Sequence, residues 1–138
     1  MYKQEQLTLK NDVRELSRLA DFLEQLGLRW SLEPKVLMAV NLSLEEAVSN
    51  IIFYAYEDTE EHFIDIQFQL VETKLTLLVS DDGKPFDPLK REEPNTNLPL
   101  EERPIGGLGI HLIKKLMDTL SYERSKQMNH LTLIKNLP

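Results

Sequence analysis

The stretch Lys35–Glu57, "KVLMAVNLSLEEAVSNIIFYAYE", constrains this chain more than any other. Val36, Val40, Leu44, Ala47, Ile51 and Ala55 recur at helical spacing and form one apolar stripe. Leu37, Val48 and Ile52 widen it on both flanks. A helix apolar on more than one side must sit centrally, with other elements covering it. Pro34 fits its first turn, and Ser31 is the candidate cap ahead of it.

The remaining segments can supply that cover. "EQLTLK" alternates weakly and reads as a first strand at a sheet edge. Asn11 or Asp12 can cap a helix in which Val13, Leu16, Ala20, Leu23 and Gly27 share a face, with Gly27 ending it. "FIDIQFQL" puts Ile64, Ile66, Phe68 and Leu70 on one side and polar residues on the other, a strand with one wet face. "KLTLLVSDD" follows through "VETK" as the second arm of a hairpin. Residues 82–105 have no periodicity and hold five of the seven prolines, which predicts a lid-like loop. A short helix with Ile110, Ile113, Leu116 and Met117 on one face comes next, and "LSYERS" and "NHLTLIKNL" close the chain as paired strands. The expected fold is α+β: one domain over 1–138, a two-layer α/β sandwich whose mainly antiparallel, mixed sheet is covered by helices on one face.

The 138 residues suffice for one core. A net charge of -7 argues against a nucleic-acid surface and against an anionic membrane surface. There is no cysteine, so disulfide and thiolate chemistry are excluded, and His62, His111 and His130 lack zinc-ligand spacing. The polar N-terminus has no apolar signal core and no apolar run approaches a membrane span, so a cytoplasmic protein is expected.

Three places break the pattern. Glu46 and Asn50 are four apart on the long helix and share a face, whereas Glu45 lies roughly 140° away from Asn50. They are either a solvated stripe, or an amide oxygen for a hard cation with a proton acceptor one turn away. "SDDGKPFDP" is either a plain turn, or a strand-end carboxylate that accepts from an exocyclic amine while Gly83 leaves room for a flat ring. Asp81, two before the glycine, is the better candidate and Asp82 the competitor. Gly106, Gly107 and Gly109 open the short helix, either as a hinge or as freed amides that bind an anion. No P-loop is present, and "GLGIHL" lacks the third glycine of the dinucleotide fingerprint. In this order the three supply a cation ligand, an adenine-type acceptor and a phosphate cradle.

This combination resembles the gyrase and histidine-kinase type of ATPase, the Bergerat fold, and within it the anti-sigma-factor serine kinases of bacterial partner switching. "LSLEEAVSNIIFYAYE" resembles their N box, "VSDDGKPFDP" their first glycine box, and "RPIGGLGIHLIKKLMD" their second. The resemblance implies ATP or ADP with Mg²⁺. It makes Asn50 the metal ligand, Glu46 the general base, and Asp81, beside Gly83, the acceptor for the adenine amine. Gly106, Gly107, Leu108, Gly109 and Ile110 would form the phosphate-binding helix entrance, Arg103 would approach the terminal phosphate, and Thr132 would add a contact near the adenine. It further implies a STAS-domain antagonist as substrate, a sigma factor or analogous regulator as second partner, and a homodimer. The alternative is a nucleotide-gated sequestration module without kinase activity. One departure is visible: relatives often carry His-Gly-Tyr or His-Ala-Tyr where this chain has Tyr54-Ala55-Tyr56.

Overall fold

A computed structural model describes residues 2–90 and 107–138. In chain order they form β1 (Tyr2–Lys10), α1 (Glu15–Arg29), α2 (Pro34–Tyr54), β2 (Phe63–Val71), β3 (Lys74–Asp81), α3 (Gly107–Leu116), β4 (Thr119–Ser125) and β5 (Met128–Asn136). The strands make one sheet in the order β1-β2-β3-β5-β4. All four pairings are antiparallel, so the mixed component of the expected sheet is absent among the described residues. The last strand inserts between β3 and β4, which leaves β1 and β4 as edges.

Alternation sorts each strand into two faces. Leu7, Leu9, Ile64, Ile66, Phe68, Leu75, Leu77, Val79, Leu131 and Leu133 are buried on the face that the helices cover. Gln4, Gln67, Gln69, Thr76 and Thr132 line the opposite face, which none of the described helices covers. The second layer is α2, packed between α1 and α3. Its Val40, Leu44 and Val48 are completely buried. By length and composition α2 could cross a membrane, contrary to the expectation that no segment would approach that measure. The core accounts for its apolar character.

Local details depart from the sequence expectation for physical reasons. Neither Asn11 nor Asp12 caps α1: Arg14 is the residue ahead of its first turn and no side chain caps it, while Asp12 Oδ1 accepts from the Arg14 amide at 2.9 Å in the preceding turn. The Asn11 side chain instead accepts from the His62 amide at 2.9 Å and donates to the Glu60 carbonyl. Gly27 does not end α1, which runs on to Arg29. A Cβ at position 27 would meet Leu37 Cδ2 at 2.7 Å, so this glycine permits the close approach of α2. Ser31 does not cap α2. It adopts φ 53° in the connection, and the extended Glu33 precedes Pro34.

The β4–β5 turn carries Lys126 at φ 52° and Gln127 at φ 65°. Two positive φ values suit a type I′ hairpin, for which Asn-Gly is preferred. Lys126→Asn with Gln127→Gly is therefore expected to stabilise the protein by about 1 kcal/mol, read as a higher denaturation midpoint at unchanged slope.

Candidate nucleotide site

One cleft lies between α2, the end of β3, the first turn of α3 and the β4–β5 hairpin. Ala47, Asn50, Ile51 and Ala55 form its α2 wall. Asp81, Asn129, Leu131 and Tyr122 form the sheet side, and Phe86, Pro88 and Ile110 close its rim. The lining is apolar apart from a few convergent polar groups, the usual build of a small-molecule site.

Asn50 is buried because it follows Ala47 on the inward side of α2. Its Nδ2 has no hydrogen-bond partner among the described residues. An orphaned amide in an apolar wall costs free energy unless a ligand completes it. Amide nitrogen and oxygen exchange places by a simple flip, so the same side chain can turn its oxygen towards a hard cation. Glu46, one turn earlier, is half-buried beside this wall, while Glu45 is exposed.

Asp81 ends β3 on the inward face and is 3% exposed. Its Oδ1 accepts from the Gly83 amide at 2.9 Å and from Asn129 Nδ2 at 3.0 Å. Burial pushes its pKa up; the Asn129 and Gly83 donors and the Arg124 charge pull the other way. Asp82, the competitor, points outward and ion-pairs with His62. The choice between the two aspartates thus follows strand parity.

Gly83 is required by space. A Cβ there would lie 2.5 Å from Ala55 Cβ and 2.7 Å from the Ala55 carbonyl oxygen. That carbonyl also accepts from the Lys84 amide at 2.9 Å, which fastens the loop after β3 to the end of α2.

The first residues of the expected lid are tied down in the same way. Arg124 donates to the Gly83 carbonyl at 2.7 Å, and the Phe86 amide donates to Tyr122 Oη at 3.3 Å. A 3-10 turn follows at Pro88–Lys90. Gly107, Leu108 and Gly109 are the opening residues of α3, and Ile110, 2% exposed, brings that helix entrance to the cleft. Arg103 and Gly106, with the rest of the lid over residues 91–105, lie outside the described residues.

Thr132 is not brought to this site. It pairs with Leu78 and Ser121 and shares the uncovered face with His130. Asn129 and Leu131, of opposite parity on the same strand, occupy the cleft instead. Asn129, Tyr122 and Arg124 were missed from sequence. The signal was a polar residue, Asn129, in register with Leu131 and Leu133 on an inward-facing strand.

Tyr54 is half-buried, its ring 6.3 Å from that of Phe53. The His62 imidazole is stacked on Tyr56 at 4.2 Å. His62 Nε2 contacts Asp58 at 2.7 Å and Nδ1 contacts Asp82. The Asp58 hydrogen bond is the main cause that holds the imidazole above its usual pKa.

A buried carboxylate facing a buried amide across a cleft, with a helix entrance at its rim, on a one-sided antiparallel sheet, defines a nucleotide-using α+β domain. The family model described as the histidine kinase-like ATPase domain matches residues 9–135, and the chain belongs to that family. It is 28% identical over 134 residues to the serine/threonine-protein kinase BtrW of Bordetella bronchiseptica, covering 92% of this chain and 94% of that one. It is 38% identical over 97 residues to the serine-protein kinase RsbW of Bacillus cereus, covering 67% of this chain and 59% of the relative. The RsbW of Listeria innocua is 30% identical over 117 residues, 82% and 73% of the two chains.

Gly83→Ala is expected to force the loop away from Ala55. The clash is with backbone and a short side chain, so the cost is about 1–3 kcal/mol. Thermal melting checks the loss of stability, and nucleotide titration checks an accompanying loss of affinity.

Proposed function

We propose that this chain is an ATP-dependent serine protein kinase that acts as an anti-sigma-type regulator. In this reading it phosphorylates a STAS-domain antagonist and sequesters a sigma factor or an analogous partner in the cytoplasm, as a homodimer. The observation that carries the reading is the pairing of Asn50 and Asp81 on facing walls of one cleft, the first with an orphaned amide and the second a buried acceptor. The relatives named as serine kinases support the same chemistry.

Asp81 accepts from the adenine amine, and Gly83 leaves the plane of the ring free. The amides that open α3 at Gly107, Leu108 and Gly109 would bind the phosphates, where a helix N-terminus favours negative charge, and Gly106 and Arg103 are assigned to the phosphates by resemblance alone. Asn50 would hold Mg²⁺ through its amide oxygen, and the ion would neutralise phosphate charge. Glu46 takes the proton of the incoming serine hydroxyl. The serine oxygen forms its bond to the terminal phosphorus as the bond to the bridging oxygen breaks, and ADP leaves.

Purified Glu46→Ala is expected to bind ATP as the parent does and to lose transfer to a cognate STAS protein by about 100-fold or more. Asn50→Ala is expected to lose the Mg²⁺-dependent part of ATP binding. Labelled-phosphate transfer and calorimetry with and without Mg²⁺ read the two. Undiminished transfer by Glu46→Ala contradicts the base assignment. Tight partner binding with no transfer by the parent protein points instead to a nucleotide-gated sequestration module.

A further inference from the structure

Asn129 is 5% exposed and uses its whole hydrogen-bonding capacity. Its Nδ2 donates to Asp81 Oδ1 at 3.0 Å and to the Lys84 carbonyl at 2.8 Å. Its Oδ1 accepts from Tyr122 Oη and from Arg124 Nη1, the latter at 3.2 Å. Two acceptors on one side and two donors on the other permit only one amide orientation; a flip would set the nitrogen against a guanidinium and the oxygen against a carboxylate. Both clamping residues are fixed in turn. Tyr122 Oη accepts from the Phe86 amide, and Arg124 Nη1 donates to the Gly83 carbonyl.

The consequence falls on Asp81. The Gly83 amide and Asn129 both donate to Oδ1 of this cleft-lining carboxylate, which leaves its second oxygen, Oδ2, for a ligand. We infer that Asn129, held by Tyr122 and Arg124, is the positioning residue that makes Asp81 selective for a base with an exocyclic amine. Such a base donates where hypoxanthine and guanine present a carbonyl oxygen. A carboxylate free to rotate could turn away from a carbonyl oxygen, whereas a locked one keeps an acceptor against it. A buried site built for a donor rejects an analogue that lacks one. The inference rests on the reading of Asp81 as the adenine acceptor and extends it to how the discrimination is produced. Burial pushes the Asp81 pKa up and the Asn129 donor opposes that rise, so the same contact favours the ionised, accepting form.

The test compares ADP with IDP, which differ in this position, by calorimetry on the full chain. The parent protein is expected to prefer ADP by about tenfold or more. In Asn129→Leu, ADP affinity is expected to fall to within about threefold of IDP while IDP affinity stays unchanged. Its ADP affinity is also expected to decline at a higher pH than the parent's as pH falls, because loss of the donor lets the Asp81 pKa rise further. Tyr122→Phe removes one hydroxyl, keeps the packing, and is expected to narrow the ADP preference by a smaller factor; it serves if Asn129→Leu does not fold. Equal losses of ADP and IDP in Asn129→Leu, or the full ADP preference retained in both variants, overturns the inference. A parent protein with no preference for ADP over IDP overturns the adenine reading of Asp81 as well.

Discussion

The contact between Gly83 and Ala55 is the constraint on which the site depends. A Cβ at position 83 would fall within 2.5 Å of Ala55 Cβ, and the Ala55 carbonyl accepts the Lys84 amide. The end of α2 is thereby fixed to the end of β3. Asn50 sits little more than one turn before Ala55, and Asp81 sits two residues before Gly83. One close backbone approach therefore sets the spacing of the two polar walls. Side-chain contacts alone would hold that spacing less firmly, because long side chains have rotamers to spare.

The sheet supplies the second restraint. An inward-facing row that is otherwise leucine, isoleucine and valine becomes polar at its end, where Asp81 lies in register with Asn129. Buried polar groups in such a row destabilise a core unless each is satisfied. Here Tyr122 and Arg124 on the edge strand β4 complete Asn129, and Asn129 completes Asp81. Among these side chains the remaining capacity lies at Asp81 Oδ2 and at the Asn50 amide, both on the cleft.

Much of this was legible in the sequence. The apolar breadth of "KVLMAVNLSLEEAVSN" placed α2 at the centre, and the alternation of "FIDIQFQL" placed β2 with its apolar side inward. Parity likewise turns Asp81 inward, where the sequence reading preferred it over Asp82 as the aspartate two before the glycine. Parity also separates Thr132 from the cleft, since Asn129, Leu131 and Leu133 share one face and Thr132 the other. Resemblance suggested Thr132, and the period of the strand opposes it. What sequence could not supply were the contacts that cross elements. Gly27 reads as a helix terminus but serves helix packing against Leu37, and Ser31 reads as a cap but takes a left-handed turn. The Asn129–Tyr122–Arg124 clamp requires β5 to insert between β3 and β4, a topology that no local pattern encodes.

Asp81→Asn tests most directly whether Asp81 presents an acceptor to an adenine amine in this cleft. The asparagine oxygen can still accept from Gly83 and Asn129, while the cleft-facing atom changes from acceptor to donor. Calorimetric titration with ADP and Mg²⁺ is predicted to show affinity lowered about tenfold or more at unchanged melting temperature. Unaltered ADP affinity in a folded Asp81→Asn protein would contradict the account.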